Sequence, residues 1–356
     1  MRKGWEYKKL GEVATYINGY AFKPDQWKES GTPIVRIQNL NNANAPYNYY
    51  DGEVPNKVKI QNGDLLISWS ASLGAYIWNG GKAFLNQHIF KVAFDKTDID
   101  KFFLKYAVTS KLAAMAEQVH GATMKHIVKK DFENTSIPYP PLSTQLSIVS
   151  ELDKINELIR LKKEQLKDFD NLAQSIFYEM FGDPVENERG WEVKKLGEIY
   201  KMKSGESLST KNFVEGDVPV YGGNGISGYH NQYNKDGSYI IIGRVGVYCG
   251  NARIVKGQFW LTDNAFELFY DKSIQNEVFV CKLLNLLNLR QYANAAAQPV
   301  ISNNTLKHIP VPLPPLPLQH LFAQRIEQIE HQKAEVQKSI TDLETLLASR
   351  MQYWFE

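Results

Sequence analysis

The sequence predicts an α+β fold built as two related globular domains, each followed by a long helix, with the two helices paired antiparallel about a pseudo-two-fold axis. The nonapeptide GWEYKKLGE at 4–12 returns as GWEVKKLGE at 190–198, with a single difference, Tyr7 against Val193. Such self-similarity marks a duplicated unit. Short β-branched and aromatic runs predict the sheets, and two apolar heptad stripes predict the helices.

Further landmarks follow the nonapeptide in the same order in both copies. The tripeptide KHI stands at 125–127 and at 307–309, an offset of 182 against 186 for the nonapeptide. IPYPPLSTQ at 137–145 is matched by VPLPPLPLQ at 311–319, an offset of 174. The falling offset indicates that the second copy is shorter, and that most of its missing residues lie between the KHI and proline landmarks.

Inside each globular domain the pattern is short and strand-like. Runs rich in β-branched and aromatic residues, separated by Gly and Asn turns, are typical of strands. Helical patterns occur near 99–118 and 276–294. The strand-like runs lie at 33–37, 64–68, 88–94, 238–243, 252–256 and 266–270.

Each proline cluster is followed by a narrow apolar stripe with heptad spacing. A helix of about 38 residues would be roughly 57 Å long. With one such stripe it is unstable alone in water, and antiparallel pairing of the two copies covers both stripes. In the alternative, each helix lies on its own domain. The stripe residues are Ile148, Leu152, Ile155, Ile159, Leu166, Phe169 and Ile176 in the first helix, and Phe322, Ile326, Ile329, Val336, Ile340, Leu343 and Leu347 in the second.

These landmarks predict the domain boundaries. The proline clusters end each globular domain, because proline stiffens the chain and stops a strand or helix. The expected order is domain one, helix, linker, domain two and helix, at 1–142, 143–181, 182–189, 190–316 and 317–356.

Composition favours a globular protein of a reducing compartment. Hydrophobic residues make up 43% and charged residues 22% of the chain, and the two cysteines are Cys249 and Cys281. The sequence shows neither a secretion signal nor a long apolar run, so we expect a cytoplasmic protein with no membrane contact. The net charge of +2 is too small to indicate nucleic-acid binding by itself.

Motifs of catalysis are missing from the sequence. Gly223, Gly225 and Gly228 have the spacing GxGxxG, but no βαβ pattern frames them, so a tight turn or recognition loop is favoured over a dinucleotide site. There is no Walker A or HExxH motif, and the seven histidines lack metal-ligand spacing. The sequence predicts a recognition protein that has no catalytic activity and binds no metal or cofactor.

The doubled opening is accompanied by a set of short motifs that together resemble the specificity subunit of type I restriction-modification systems. The resemblance covers the whole chain. Its motifs are WExKKLGE at Trp5 and Trp191, GDLLIS at 63–68, YGGNG at 221–225, IIIGRVG at 240–246, LTDNA at 261–265, FGDP at 181–184, and PPLxxQ at Pro140 and Pro314.

The resemblance implies a bivalent reader of double-stranded DNA. Each globular unit would be a target recognition domain for one half of a bipartite asymmetric site, and the paired helices would fix the spacing. Two adenine-methylating modification subunits, which would carry S-adenosylmethionine, and restriction/motor subunits would bind this chain. The alternatives are an orphan specificity subunit, or an adaptor coiled-coil protein with no DNA role.

In the second domain, Arg244 directly follows an apolar strand, where its guanidinium could pair with guanine O6 and N7. The alternative is an ion pair with a nearby carboxylate. Further candidates for base or phosphate contact are Lys203, Tyr221, Asn224, Arg253, Thr262 and Asn264.

In the first domain, polar residues at comparable places are the candidates for DNA contact. Alignment of Gly63 with Gly237 puts Ser70 where Arg244 stands, which suggests different half-sites. Asn and Gln can pair with adenine, but they also cap turns. The candidates are Arg36, Gln38, Asn39, Ser68, Trp69, Ser70, Asn86 and Gln87, with His88 beside them. The identical nonapeptides, by contrast, are expected to serve the scaffold.

Overall fold

The computed structural model describes residues 5–42, 44–118, 127–294 and 298–356. The chain divides into two compact units: the first contains the chain up to Lys163 together with Lys338–Glu356, and the second is Glu164–Gln337. Each long helix contributes one part to each unit. The predicted fold class, two α+β domains with two long helices, is confirmed.

The first domain is built on two four-stranded sheets. One has the order β2-β9-β6-β7, and the other has the order β4-β3-β8-β5, in which β3 and β8 run parallel. Its elements are β1 Glu6–Lys9, α1 Leu10–Val13, β2 Thr15–Asn18, β3 Thr32–Val35, α2 Ile37–Asn41, β4 Asn48–Tyr50, β5 Lys59–Ile60, β6 Leu65–Ser68, β7 Gly74–Ile77, β8 Ala83–Leu85, β9 Ile89–Ala93, α3 Lys101–Gln118, α4 Lys129–Glu133 and β10 Ser136–Tyr139, followed by the long helix α5 Leu142–Phe181.

The second domain carries a six-stranded sheet of order β12-β17-β15-β16-β13-β14, in which β13 and β16 run parallel. Its elements are β11 Glu192–Lys195, α6 Leu196–Ile199, β12 Lys201–Ser204, β13 Val218–Gly222, β14 Gly225–His230, β15 Lys235–Gly243, β16 Ala252–Leu261, β17 Ala265–Phe269, α7 Glu277–Leu286, α8 Asn303–Leu306 and β18 Pro310–Leu313, followed by the long helix α9 Leu316–Phe355.

Local hydrogen bonds explain where several elements depart from the predicted bounds. The strand predicted at 33–37 ends at Val35, because the Asn39 side chain accepts the Arg36 N–H at 3.0 Å and starts α2. The helix predicted at 276–294 ends at Leu286, and the left-handed backbone of Asn288, with φ of 46°, precedes a separate short turn. Side-chain caps and single backbone angles of this kind cannot be predicted from the spacing of apolar residues.

The repeated nonapeptide forms the same scaffold piece in each domain. Its first half is strand β1 or β11, which pairs antiparallel with the proline-bearing strand β10 or β18. The Lys9 N–H then donates to the Glu12 carboxylate at 2.8 Å, and the Lys195 N–H donates to Glu198 at 3.0 Å. These bonds begin a one-turn helix whose leucine, at position 10 or 196, is fully buried. Identical sequence therefore serves identical packing.

The second repeated motif, PPLxxQ, closes each domain with a buried glutamine. Gln145 accepts the Asp100 N–H at 2.9 Å and donates to the Pro140 carbonyl at 2.9 Å. Gln319 accepts the Asn276 N–H at 2.8 Å and donates to the Pro314 carbonyl at 2.8 Å. Each glutamine thus joins the end of the globular domain, the start of the long helix and the start of α3 or α7.

We expect Gln319→Ala to destabilise the second domain by about 1–3 kcal/mol, because the half-buried Asn276 N–H and the buried Pro314 carbonyl lose their partner. Urea unfolding gives the stability, and hydrogen exchange at the first amides of α7 localises the loss. The matched control is Gln328→Ala, an exposed glutamine of the same helix. Equal stability of the two variants would contradict this role for Gln319.

One sequence landmark is corrected by the backbone hydrogen bonds. The Leu10 N–H donates to the Thr135 carbonyl at 2.9 Å, and the Leu196 N–H donates to the Ile309 carbonyl at 2.8 Å. Ile309 therefore corresponds to Thr135, with an offset of 174, and not to the isoleucine of the first KHI; residues 125 and 126 lie outside the described ranges. The KHI match is accidental, because three letters carry less information than a strand register. The missing residues of the second copy lie earlier in the chain.

The two long helices run antiparallel within each unit. In the first unit, Arg350 forms an ion pair with Glu151, and Lys163 forms an ion pair with Glu344 at 2.7 Å. Positions farther along α5 therefore pair with earlier positions of α9, as antiparallel helices require. Hydrogen bonds from Arg350 hold the pKa of the Glu151 carboxyl below its usual range.

In the second unit, Lys333 pairs with Asp170 at 2.9 Å. The fourteen predicted stripe residues, Ile148 to Ile176 and Phe322 to Leu347, are all buried or half-buried. The helices begin at Leu142 and Leu316, one residue before the predicted starts at 143 and 317.

Candidate nucleic-acid interface

In each domain, a pair of parallel strands within an otherwise antiparallel arrangement presents the candidate residues. β3 and β8 end together, with Val35 paired to Leu85, and β13 and β16 have Tyr221 paired to Leu261. The segments that leave these ends carry Arg36, Gln38, Asn39, Asn86 and Gln87 in the first domain and Asn224, Thr262 and Asn264 in the second, whereas Ser68, Trp69, Ser70 and Arg244 lie at or after the ends of β6 and β15. A rigid strand end that supports variable loops is a common way to build a binding surface.

Four polar residues meet at the strand ends of the first domain. Arg36, Gln38, Asn86 and His88 line a cavity of about 190 Å³. Arg36 is held on the face of Trp27, with the guanidinium carbon 4.9 Å from the ring centroid. Its Nη1 also donates to the Asn48 side chain at 3.0 Å. The arrangement presents donors and acceptors of fixed orientation.

Other candidates of the first domain lie inside the loops that support this cavity. Asn39 is buried, and its amide donates to the carbonyls of Ala45 and Pro46 at 3.2 and 3.3 Å. The hydroxyl of buried Ser68 donates to the Ser72 carbonyl at 2.6 Å. Ser70 is buried as well, whereas Gln87 is exposed beside His88. Asn39 and Ser68 hold these loops through hydrogen bonds to backbone carbonyls, and the Ser70 side chain is buried, which leaves the exposed neighbours as the candidates for DNA contact.

In the second domain the glycine-rich stretch is the turn of the β13–β14 hairpin. Gly222 pairs with Gly225, which leaves Gly223 and Asn224 as the turn. A Cβ at Gly223 would lie 2.3 Å from the Val245 carbonyl oxygen, so that only glycine allows this approach. The favoured interpretation as a tight turn agrees with this geometry.

A cavity of about 310 Å³ lies against this turn. It is lined by Asn224, Thr262 and Asn264 from the predicted set, together with Phe213 and Ser227. Arg253 points to the same place, since a Cβ at Gly225 would lie 2.6 Å from its Nη1.

The remaining candidates of the second domain differ in exposure. Thr262 is buried, and its N–H donates to the Tyr221 carbonyl at 2.9 Å. The Tyr221 ring packs on Phe259, with centroids 5.5 Å apart. Lys203 is exposed on β12, away from the cavity. Thr262 and Tyr221 support the turn, whereas Lys203 is not among the residues that line the cavity.

Arg244 is half-buried directly after β15. Its Nη1 donates to the Asp263 carbonyl at 3.3 Å, and its guanidinium carbon lies 5.6 Å from the Phe266 ring centroid. The alternative, an ion pair of Arg244 with a carboxylate, is not found within the described residues, because no carboxylate there lies within 4.0 Å of the Arg244 guanidinium nitrogens.

The alignment of Ser70 with Arg244 is wrong by one residue. The Trp69 N–H donates to the His88 carbonyl at 3.5 Å, and the Arg244 N–H donates to the Asn264 carbonyl at 2.9 Å. Trp69 is therefore the counterpart of Arg244. Glycine alignment failed here because Gly63 precedes β6, whereas Gly237 lies inside β15 and is one residue farther from the end of its strand.

Several exposed apolar residues on the β13–β14 hairpin and in the loop after Arg244 were not predicted from the sequence. Ile226 is 52% exposed on the hairpin, and Val247 and Tyr248 are 59% and 53% exposed in the loop that follows Arg244. Apolar residues between glycines are typical of buried strands, so the sequence carried no signal that separates them. Their exposure suits contact with sugars or thymine methyl groups.

Other chemistry receives no support within the described ranges. Groups of three or more His, Cys, Asp or Glu side chains suited to a metal ion are not found there. Both cysteines are free, and burial raises the pKa of the Cys281 thiol to about 12. Nor does any helix in those ranges have the length and apolar character needed to cross a membrane.

Comparison with known proteins identifies the family. The model of the type I restriction modification DNA specificity domain matches residues 2–168 and again residues 188–345. The chain belongs to this family. Its role is therefore DNA sequence specificity, and its two matched segments correspond to the two copies that the repeated nonapeptide marks.

Whole-length relatives support the same assignment. The chain is 26% identical to the type I restriction enzyme EcoprrI specificity subunit of Escherichia coli, over 97% of this chain and 91% of that protein. It is 24% identical to the MjaVIII specificity subunit of Methanocaldococcus jannaschii, over 96% of this chain and 92% of that protein.

Two solved structures share the fold. The type I restriction-modification S subunit from M. genitalium aligns with a TM-score of 0.57 at 17% identity, covering 99% of this chain and 96% of that one. A chain from a structural study of complex assembly and conformational transition of the type I R-M system aligns with a TM-score of 0.63 at 18% identity, covering 99% of this chain and 97% of that one.

Proposed function

We propose that this chain is the DNA-reading subunit of a type I restriction-modification enzyme, and that each domain reads one half of a bipartite asymmetric site in double-stranded DNA. One observation carries the proposal: equivalent strand ends in the two domains display different side chains, Trp69 and His88 in one and Arg244 and Asn264 in the other. A shared scaffold with different base-edge donors is what two different half-sites require.

Family membership supports a proposal for the partners. Two modification subunits would bind the chain and methylate adenine with S-adenosylmethionine, and restriction/motor subunits would complete the nuclease. The chain itself would be non-catalytic and would hold no cofactor. Assembly in general is supported by the relatives, which are specificity subunits of restriction enzymes, and by the fold shared with a chain from a type I R-M complex.

Methylome sequencing tests this function. Cells that express the chain together with its modification subunits are expected to carry adenine methylation at one motif of two short half-sites separated by an unread spacer. Cells that express the modification subunits alone are the control and are expected to lack that motif. If the chain copurifies with the modification subunits and no bipartite motif is methylated, the DNA-reading role is wrong and an adaptor role gains support.

A further inference from the structure

Trp69 and Arg244 occupy one equivalent backbone position in the two domains. The carbonyl of Trp69 accepts the Ile127 N–H at 3.1 Å, and the carbonyl of Arg244 accepts the Ile301 N–H at 3.0 Å. The N–H groups of both residues also donate to backbone carbonyls, as described above. The same pair of backbone hydrogen bonds therefore holds Trp69 and Arg244 in place. The scaffold therefore fixes this position and leaves its side chain to vary.

The two side chains rest on equivalent phenylalanines. The Trp69 ring is stacked on Phe90, with centroids 5.6 Å apart and an interplanar angle of 24°. The Arg244 guanidinium carbon lies 5.6 Å from the centroid of Phe266. Phe90 pairs with the strand residue two before Trp69, and Phe266 pairs with the strand residue two before Arg244. An aromatic platform thus supports either an indole or a guanidinium.

The charge of Arg244 is not compensated in the described part of the chain. Its Nε is buried and makes no hydrogen bond there, and Nη1 has only the long bond of 3.3 Å to the Asp263 carbonyl. A half-buried cation without a carboxylate is costly for folding. An electronegative ligand that offers two acceptors would satisfy the guanidinium fork, and guanine O6 and N7 form such a pair.

We propose that the position shared by Trp69 and Arg244 determines specificity in both domains, and that Arg244 reads a guanine in the half-site of the second domain. This proposal rests on the DNA-reading function proposed above. Trp69 carries a single side-chain N–H, and its Nε1 is buried, so the first domain makes no two-pronged guanine contact from the same place. One backbone site would thus serve two different half-sites.

Methylome sequencing with Arg244→Gln tests the proposal in the complex with the modification subunits. One guanine in one half-site is expected to become degenerate, with discrimination at that base pair falling about tenfold or more, while the other half-site stays unchanged. Arg244→Lys keeps the charge but lacks the fork, so it is expected to weaken discrimination at that same base pair to a smaller extent.

The matched control is Arg290→Gln, which removes the same charge from an exposed arginine of the same domain. It is expected to leave every base preference unchanged. If Arg244→Gln melts like the wild type and keeps the motif, or weakens methylation of all sites equally without loss of a base preference, the proposal is overturned. If Arg244→Gln does not fold, an unchanged preference in Arg244→Lys overturns it. A wild-type chain that yields no bipartite motif refutes the proposed function as well, which separates the two failures.

Discussion

Substitution of Phe355 by alanine is expected to destabilise the first unit by about 3–5 kcal/mol, the usual cost of removing a buried phenylalanine. Phe355 ends helix α9 and is only 2% exposed. Its ring lies 5.3 Å from that of Phe103, inside the core of the first domain. Since whole domains are stable by about 5–15 kcal/mol, one substitution removes a large part of the folding free energy.

Phe181→Ala is expected to have the equivalent effect in the second unit. Phe181 ends helix α5, is 3% exposed, and packs against Phe279 and Phe322 with ring centroids 4.8 and 5.5 Å away. Each globular domain is therefore completed by the end of the helix that follows the other domain. This exchange is what makes the two helices necessary to both folds.

Urea unfolding gives the size of each loss, and hydrogen exchange shows which core it affects. The matched controls are exposed leucines of the same helices and units, Leu346→Ala for the first unit and Leu172→Ala for the second. They are expected to change stability by less than about 0.5 kcal/mol. If Phe355→Ala leaves the amides of the first core as protected as in the control, this account of the core is wrong.

The sequence was informative where a pattern repeats over many residues. Duplication, the α+β class and the two helices follow from the nonapeptide and from stripes such as Ile148 to Ile176, because periodic burial leaves a periodic trace. The contribution of Phe355 to the first core was not predictable. It depends on a tertiary contact between residues more than 200 positions apart, for which a single sequence holds no signal.

The candidate interface could be predicted only in part. Sequence pattern brought together Arg36, Gln38 and Asn86, because polar residues that follow strands cluster at strand ends. The sequence pattern did not show that the Asn39 and Ser68 side chains donate their hydrogen bonds to backbone carbonyls. Polar residue type is the same for a side chain that orders a loop and for one that contacts a base, and only the local geometry separates them.

Removal of one heptad from each long helix is expected to shorten the spacer of the recognised site by about three base pairs. Seven residues account for about 10.5 Å of helix, and base pairs are about 3.4 Å apart. The segments to remove are 160–166 and 339–345, which lie opposite each other in the antiparallel pairing given by Lys163 with Glu344 and Asp170 with Lys333. Deletion of seven residues keeps both stripes in phase, so the pairing survives.

Methylome sequencing reads the outcome directly, because spacer length and half-site bases are measured together. The half-sites are expected to stay unchanged, since the strand ends that carry Arg36 and Arg244 are not altered. Removal of 160–166 alone is the control: it leaves a stripe on α9 without its partner and is expected to reduce stability instead of shortening the spacer. A folded double-deletion variant that methylates sites with the original spacing would show that the helices do not set the distance between half-sites.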